Sequence, residues 1–139
     1  MRIILERQNQ AVHLQALNED GARIDIDGAP AIGGENKGLR PMQLLLAGLG
    51  SCSTMDIVSI LNKQKQDLAD IRILIDGNRE KGKTPSLFED IHVHFILAGN
   101  LDEKKVKRAI DLSMNTYCSV SKIIEKTARI TYSYEIKTT

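Results

Sequence analysis

The stretch RPMQLLLAGLGSCSTMDIVSIL, residues 40–61, decides the fold of this chain. Pro41 suits the first turn of a helix, where its missing N–H is not needed. Apolar residues then recur on every side of the helix; they are Leu44, Leu45, Leu46, Ala47, Leu49, Met55, Ile57, Val58, Ile60 and Leu61. A helix without a continuous polar face is a buried one. The stretch therefore predicts a long buried central helix over residues 41–63. Gly48 and Gly50 each lower helix propensity by about 1 kcal/mol, which indicates close approach by another backbone.

The segments on either side of this helix alternate apolar and polar residues with a period of two, which is typical of strands. The predicted strands are 1–6, 12–16 and 24–26 before the helix, and 71–75, 91–97 and 130–136 after it. A polar hairpin loop over 77–86 joins the fourth and fifth strands. Asn100 and Glu103 resemble an N-cap and its capping partner at the start of a second helix, and a short third helix is predicted from Ser119 to Lys126. The order βββ-α-ββ-αα-β is an α+β pattern.

A glycine-rich segment from Gly28 to Arg40 precedes the central helix and holds four glycines and Pro30. A loop of about a dozen residues is long for a compact domain, and such loops are often functional. We expect this loop to contribute to a site.

The composition predicts one cytoplasmic domain over residues 1–139. Hydrophobic residues make up 42% and charged residues 27%, as in ordinary globular proteins. The net charge of +1 and the 4% of aromatic residues predict no nucleic-acid partner. The apolar run near the N-terminus is too short for a signal peptide. Because Leu44–Gly50, the longest apolar run, is far shorter than a bilayer span, no membrane partner is expected.

The two cysteines, Cys52 and Cys118, lie 66 residues apart and form no Cys-x-x-Cys pair. Cys52 lies inside the central helix among small residues, and its simplest interpretation is a core residue. A reactive Cys52 needs a cation from another segment, since no helix terminus is near it. Cys118 lies at the start of the short third helix, where free N–H groups favour a thiolate.

His92 and His94 share one face of a strand, which is one way to begin a metal site. No third ligand is evident beside them, so a polar outer strand face is the favoured interpretation. The chain also has no P-loop and no dinucleotide fingerprint. The sequence therefore predicts neither a metal nor an organic cofactor.

The central stretch, followed by TYCSVSKI at residues 116–123, closely resembles the OsmC/Ohr superfamily. The shared pattern is Pro-Met-x-Leu-Leu-Leu, a run of small residues, Cys, and then Asp-Ile-Val; P-x-L-F-x-x-I at 85–91 also matches. The resemblance implies an intertwined homodimer, in which two central helices are wrapped by sheets with strands from both chains. It also implies two active sites at the subunit interface that reduce hydroperoxides, chiefly organic ones. By position, Cys52 matches the peroxidatic cysteine and Cys118 the resolving cysteine.

The residues fit this chemistry. A Cys52 thiolate would attack the peroxide and become a sulfenic acid, Cys118 would condense with it to a disulfide, and an external dithiol would reduce the pair. The apolar helix around Cys52 suits an organic hydroperoxide. Asp56 would lie one helical turn from Cys52.

One position departs from the family's pattern. Peroxidase members carry a Glu after the helix-starting Pro, where it holds an activating Arg, and this chain has Met42 there. Arg40 is the first candidate for the activating cation and Arg23 the second. Met42 favours the alternative function, a non-enzymatic dimer that binds a small hydrophobic ligand or acts as a redox sensor.

Overall fold

The computed structural model describes residues 1–138, and its helices and strands follow the predicted order. The elements are β1 (Ile4–Arg7), β2 (Leu14–Leu17), β3 (Arg23–Ile26), α1 (Pro41–Lys63), β4 (Asp67–Arg79), β5 (Phe88–Asn100), α2 (Glu103–Leu112), α3 (Ser119–Ile124) and β6 (Arg129–Lys137). A short 3-10 helix, Pro30–Ile32, lies before α1, and a π-helical turn, Ser113–Tyr117, lies between α2 and α3. The α+β class and the element order are confirmed.

The chain divides into two compact units, one over residues 1–45 and one from Leu46 onward. The first unit holds β1, β2 and β3 as an antiparallel sheet in that order. The second unit holds the greater part of α1 and all later elements. A single domain over 1–139 stays a prediction.

Asp27 organises the loop of the first unit. Its side chain is almost fully buried and accepts hydrogen bonds from the backbone N–H groups of Glu35, Lys37 and Gly28, at 2.9, 3.1 and 2.8 Å. These donors, the N–H of Glu35 foremost, lower the pKa of Asp27 although burial opposes them. The glycine-rich segment is therefore an ordered loop built around one carboxylate.

The second unit is built on the sheet β4-β5-β6. Strand β5 pairs antiparallel with β4 and parallel with β6. Alternate residues of β5 are buried and form the core side of the sheet; they are Ile91, Val93, Phe95 and Leu97. The parallel pairing of β5 with β6 requires a crossover connection, and α2, the π-helical turn and α3 form it. Cys118 lies on this crossover.

Helix α1 buries only one side within a single chain. Its buried residues are Leu49, Gly50, Ser53, Ile57 and Leu61. On another side, Met55 is 70% exposed. Helix α1 is long and apolar enough to meet the length and composition criteria for a membrane span. Central helices of soluble proteins meet the same criteria. The predicted burial of the helix is therefore confirmed for one side only. Its other sides expose apolar residues in a single chain.

The two helix glycines differ in their surroundings. A Cβ on Gly50 would come within 2.3 Å of Cδ1 of Ile75 on β4, so a close approach exists there, but it is made by a side chain and not by the backbone that the sequence predicted. A Cβ on Gly48 would lie 3.9 Å from Cγ1 of Val120, which is ordinary contact. The same prediction for Gly48 was therefore wrong, since its nearest neighbour is a side chain at normal distance.

Several predicted boundaries shift. Strands β4 and β5 are 13 residues each, longer than predicted. Strand β4 continues to Arg79, into the predicted hairpin loop, whereas β5 begins at Phe88, after that loop. The N-cap of α2 is Asp102, whose Oδ1 accepts from the N–H of Lys105 at 3.0 Å. Asn100 is still in β5, so its assignment as the N-cap was wrong. Helix α3 ends at Ile124, two residues early.

We expect Gly48→Ala to raise the free energy of unfolding by about 1 kcal/mol, because alanine favours the helix and the added methyl has room. Gly50→Ala gains the same helix propensity but must displace Ile75, and overpacking costs about 1–3 kcal/mol. Urea unfolding should therefore give a lower free energy of unfolding for Gly50→Ala than for Gly48→Ala. Equal stabilities would contradict the close approach at Gly50.

Candidate active site

Helix α1 presents Cys52 and Asp56 one turn apart, both half-buried. The hydroxyl groups around Cys52 donate to carbonyl oxygens of the same helix: Ser51 to Ala47 at 2.7 Å, Ser53 to Leu49 at 2.9 Å and Thr54 to Gly50 at 2.7 Å. These hydroxyls are thereby satisfied within α1.

Cys118 reaches the same place from the crossover. It is the N-cap of α3, and its Sγ accepts from the N–H of Ser121 at 3.4 Å. Its own N–H donates to the carbonyl of Ser113 across the π-helical turn, at 2.8 Å. The side chain is fully buried. The wide turn therefore ends by directing Cys118 into the interior of the second unit.

The ligand atoms of Cys52, Asp56 and Cys118 all lie within 4.8 Å of one another. Both thiols are free. The Oγ of Ser113 lies 3.0 Å from Oδ2 of Asp56 and 3.2 Å from the carbonyl oxygen of Ser53, so this hydroxyl ties the carboxylate to the crossover. The residues that the sequence placed at the catalytic centre, Cys52 and Cys118, are thus brought together with a carboxylate.

The environment of Cys118 favours the neutral thiol. Burial is the main cause and raises the pKa of Cys118 to about 11, with smaller upward contributions from Cys52 and Asp56. The hydrogen bond from the Ser121 N–H lowers the pKa of Cys118, but by less than burial raises it. The prediction that the start of a helix makes Cys118 a thiolate was therefore wrong, because loss of solvation outweighs one N–H group.

A cleft of about 650 Å³ opens beside Asp56. Lys63 and Arg108 line it together with apolar and aromatic side chains, among them Ile60, Leu112 and Tyr117. Tyr117 itself is 57% exposed. The cleft gives solvent and small molecules a path to the carboxylate side of the cluster.

The two candidate cations lie in the first unit. The Nη2 of Arg40 donates to Oδ1 of Asn36 at 3.3 Å, and its backbone N–H donates to Oε1 of Gln43 at 3.0 Å. Its Nε is buried and has no hydrogen-bond partner among residues 1–138. Arg23 donates from Nη1 to Oε1 of Gln15 at 3.3 Å. A role for either cation at Cys52 stays a prediction.

The remaining polar candidates have structural partners. His92 lies 2.7 Å from Oγ1 of Thr131 and 2.8 Å from Oγ of Ser133, and His94 lies 2.7 Å from the same Ser133 oxygen. These contacts fit the interpretation of a polar strand face. Ser113 is the site residue that the sequence missed. A serine at helical spacing carries no local signal for a contact with Asp56.

Comparisons with known proteins identify the family of this chain. A family described as OsmC-like protein matches residues 34–133. Protein YhfA of Escherichia coli strain K12 is 42% identical over 102 residues, which cover 73% of this chain and 75% of YhfA. The crystal structure of a hypothetical protein from Aquifex aeolicus VF5 is 33% identical, with a TM-score of 0.85 over 99% of this chain and 96% of that chain.

A more distant likeness is to an organic hydroperoxide resistance protein from Legionella pneumophila. Its crystal structure has a TM-score of 0.71 and 20% identity, over 97% of each chain. At this identity the likeness shows the fold alone.

We expect a neutral alkylating agent to modify Cys52 before Cys118 in the reduced folded protein near neutral pH. Cys52 is partly exposed, whereas Cys118 is buried and its raised pKa keeps it protonated. As pH rises, alkylation of Cys118 should keep accelerating toward pH 11, beyond the ordinary thiol range near about 8.5. Peptide mass spectrometry gives both rates. In urea the two cysteines should react alike, and equal rates in the folded protein would contradict the assigned environments.

Proposed function

Because the chain belongs to the OsmC-like protein family, we propose that it is a cysteine-dependent reductase of organic hydroperoxides. The observation that carries the proposal is the pair of free thiols within 4.8 Å, one half-buried and one fully buried. The name of the Legionella pneumophila protein, which shares the fold, points to the same substrate class.

The first step takes place at Cys52. Its thiolate attacks the outer oxygen of the hydroperoxide, the O–O bond breaks, and the products are a Cys52 sulfenic acid and an alkoxide that takes up a proton to become the alcohol. The half-buried position of Cys52 on an apolar helix admits an alkyl substituent. Small neighbours such as Gly48 and Ser51 leave room for it.

The second step joins the two sulfurs. Cys118 attacks the sulfenic sulfur, the S–O bond breaks, and the disulfide and water form. Cys118 must lose its proton for this attack, and its raised pKa keeps the thiol neutral until then. The Asp56 carboxylate is within 4.8 Å of both sulfurs, so it is placed to receive that proton.

An external dithiol completes the cycle. Its first thiolate opens the Cys52–Cys118 disulfide and its second closes on the mixed disulfide, which returns both protein thiols and leaves the reductant oxidised. No metal or organic cofactor takes part in these steps.

The proposal includes a homodimer. Large apolar side chains are exposed in each unit of one chain, among them Leu5 and Ile24 in the first and Met55 in the second. Exposed apolar surface of this kind is typical of an interface between subunits. A second copy of the chain would cover the sides of α1 that one chain leaves open.

The ligand-binding alternative has one observation in its favour. An apolar cavity of about 420 Å³ lies in the first unit, lined chiefly by aliphatic residues that include Ile3, Leu17 and Leu44. Such a cavity suits a small hydrophobic molecule. It does not explain why two cysteines and a carboxylate meet in the second unit, and the reductase is therefore the better-supported function.

One equivalent of an alkyl hydroperoxide should convert the two thiols of the wild-type chain to an intrachain Cys52–Cys118 disulfide. In Cys118→Ser, one equivalent should still oxidise Cys52 to the sulfenic acid, and a second equivalent should carry it on to the sulfinic acid, because no thiol traps the sulfenic acid. Non-reducing peptide mass spectrometry identifies both products. Two free thiols after peroxide treatment would favour the ligand-binding alternative.

Arg40→Ala should slow the oxidation and alkylation of Cys52, because a cation near the sulfur favours the thiolate. A loss of about tenfold corresponds to about 1.4 kcal/mol of electrostatic stabilisation of the thiolate. Arg79→Ala is the matched control, since Arg79 hydrogen-bonds the carbonyl of Ser86 in the hairpin. Equal rates for the two variants would exclude Arg40 and leave Arg23 as the next candidate.

A further inference from the structure

We propose that Cys52, Asp56 and Cys118 form a binding site for Zn²⁺, with water in the fourth position. The three ligand atoms already lie within 4.8 Å of one another. From the sequence, His92 and His94 were the candidate metal ligands, and no third donor is evident beside them. The fold instead assembles three donors from residues far apart in the chain.

The donor set matches the chemistry of zinc. Two thiolates and a carboxylate are ligands that Zn²⁺ accepts, and a tetrahedral site with three protein ligands and one water is common. Zinc–sulfur bonds of about 2.3 Å put tetrahedral sulfur atoms about 3.8 Å apart, so the two sulfurs need to approach each other by about 1 Å at most. Cys52 and Asp56 have the i, i+4 spacing with which one helix presents two zinc ligands.

The surroundings of the cluster support a bound cation. Ser113 Oγ, 3.0 Å from Oδ2 of Asp56, orients the carboxylate, as outer partners of metal ligands do. The cleft beside Asp56 admits the ion and its water. Two thiolates, one carboxylate and Zn²⁺ carry a net charge of −1, and Lys63 and Arg108 on the cleft wall offset it.

Binding is a ligand exchange without oxidation. Zn²⁺ displaces one proton from each thiol, the two protons leave to the buffer, and two zinc–sulfur bonds and one zinc–oxygen bond form. The same sulfurs carry the proposed peroxide chemistry, so zinc and peroxide compete for them. This regulatory consequence rests on the proposed function, whereas the binding itself does not.

Cobalt(II) titration of the reduced protein in the absence of oxygen tests the site. We expect one Co²⁺ per chain, thiolate-to-cobalt charge-transfer absorption and the visible bands of tetrahedral cobalt, all removed by Zn²⁺. A chromophoric chelator then gives the zinc affinity. The double variant Cys52→Ser/Cys118→Ser should show no charge-transfer band.

The carboxylate has its own control. Asp56→Asn should weaken zinc binding at least about tenfold, whereas Asp67→Asn, at an exposed strand start, should leave it unchanged. In the wild-type protein, zinc should also protect both cysteines from alkylation, a measurement that needs no variant. Absence of charge-transfer absorption, or equal affinities of Asp56→Asn and Asp67→Asn, would overturn the site.

The two proposals fail in different ways. If cobalt shows no thiolate bands but peroxide still joins Cys52 to Cys118, the metal site is wrong and the reductase stands. If cobalt binds through both thiolates but peroxide leaves them free, the metal site stands and the reductase is wrong.

Discussion

The burial of the Cys118 thiol beside α1 is the interaction on which the rest of the site depends. Because this side chain is excluded from water, the crossover through α2 and α3 must pack closely on α1, and small residues on that helix make such packing possible. The same burial holds Cys118 in its neutral form. The Cys52 thiol is therefore partly accessible to solvent, while the Cys118 thiol is buried within 4.8 Å of it.

Most of the fold could be predicted because its signals are local. The apolar stretch around Leu49 indicates a long helix from residue types alone, and the alternation along Ile91–Leu97 indicates a strand. Where the signal depends on tertiary contact, prediction failed. Gly48 and Gly50 look alike in sequence, yet only Gly50 is closely approached by another side chain, that of Ile75.

The site shows the same division. The resemblance of the two cysteine motifs to a known family predicted that Cys52 and Cys118 lie close together, and in the structure they do. The charge state of Cys118 was predicted wrongly, because the helix start is visible in the sequence and the loss of solvation is not. The contact of Ser113 with Asp56 depends on the π-helical turn, whose wider winding has no signature in residue type.

The Asp27 carboxylate has a consequence for the loop that it holds. Fixing one residue of backbone costs about 1–2 kcal/mol of conformational entropy. Three N–H groups that donate to a single buried carboxylate offset part of that cost for the loop when the chain folds. Arg40, at the end of this loop, is therefore presented on a segment that is already ordered. A molecule that binds Arg40 then loses little binding free energy to ordering the backbone.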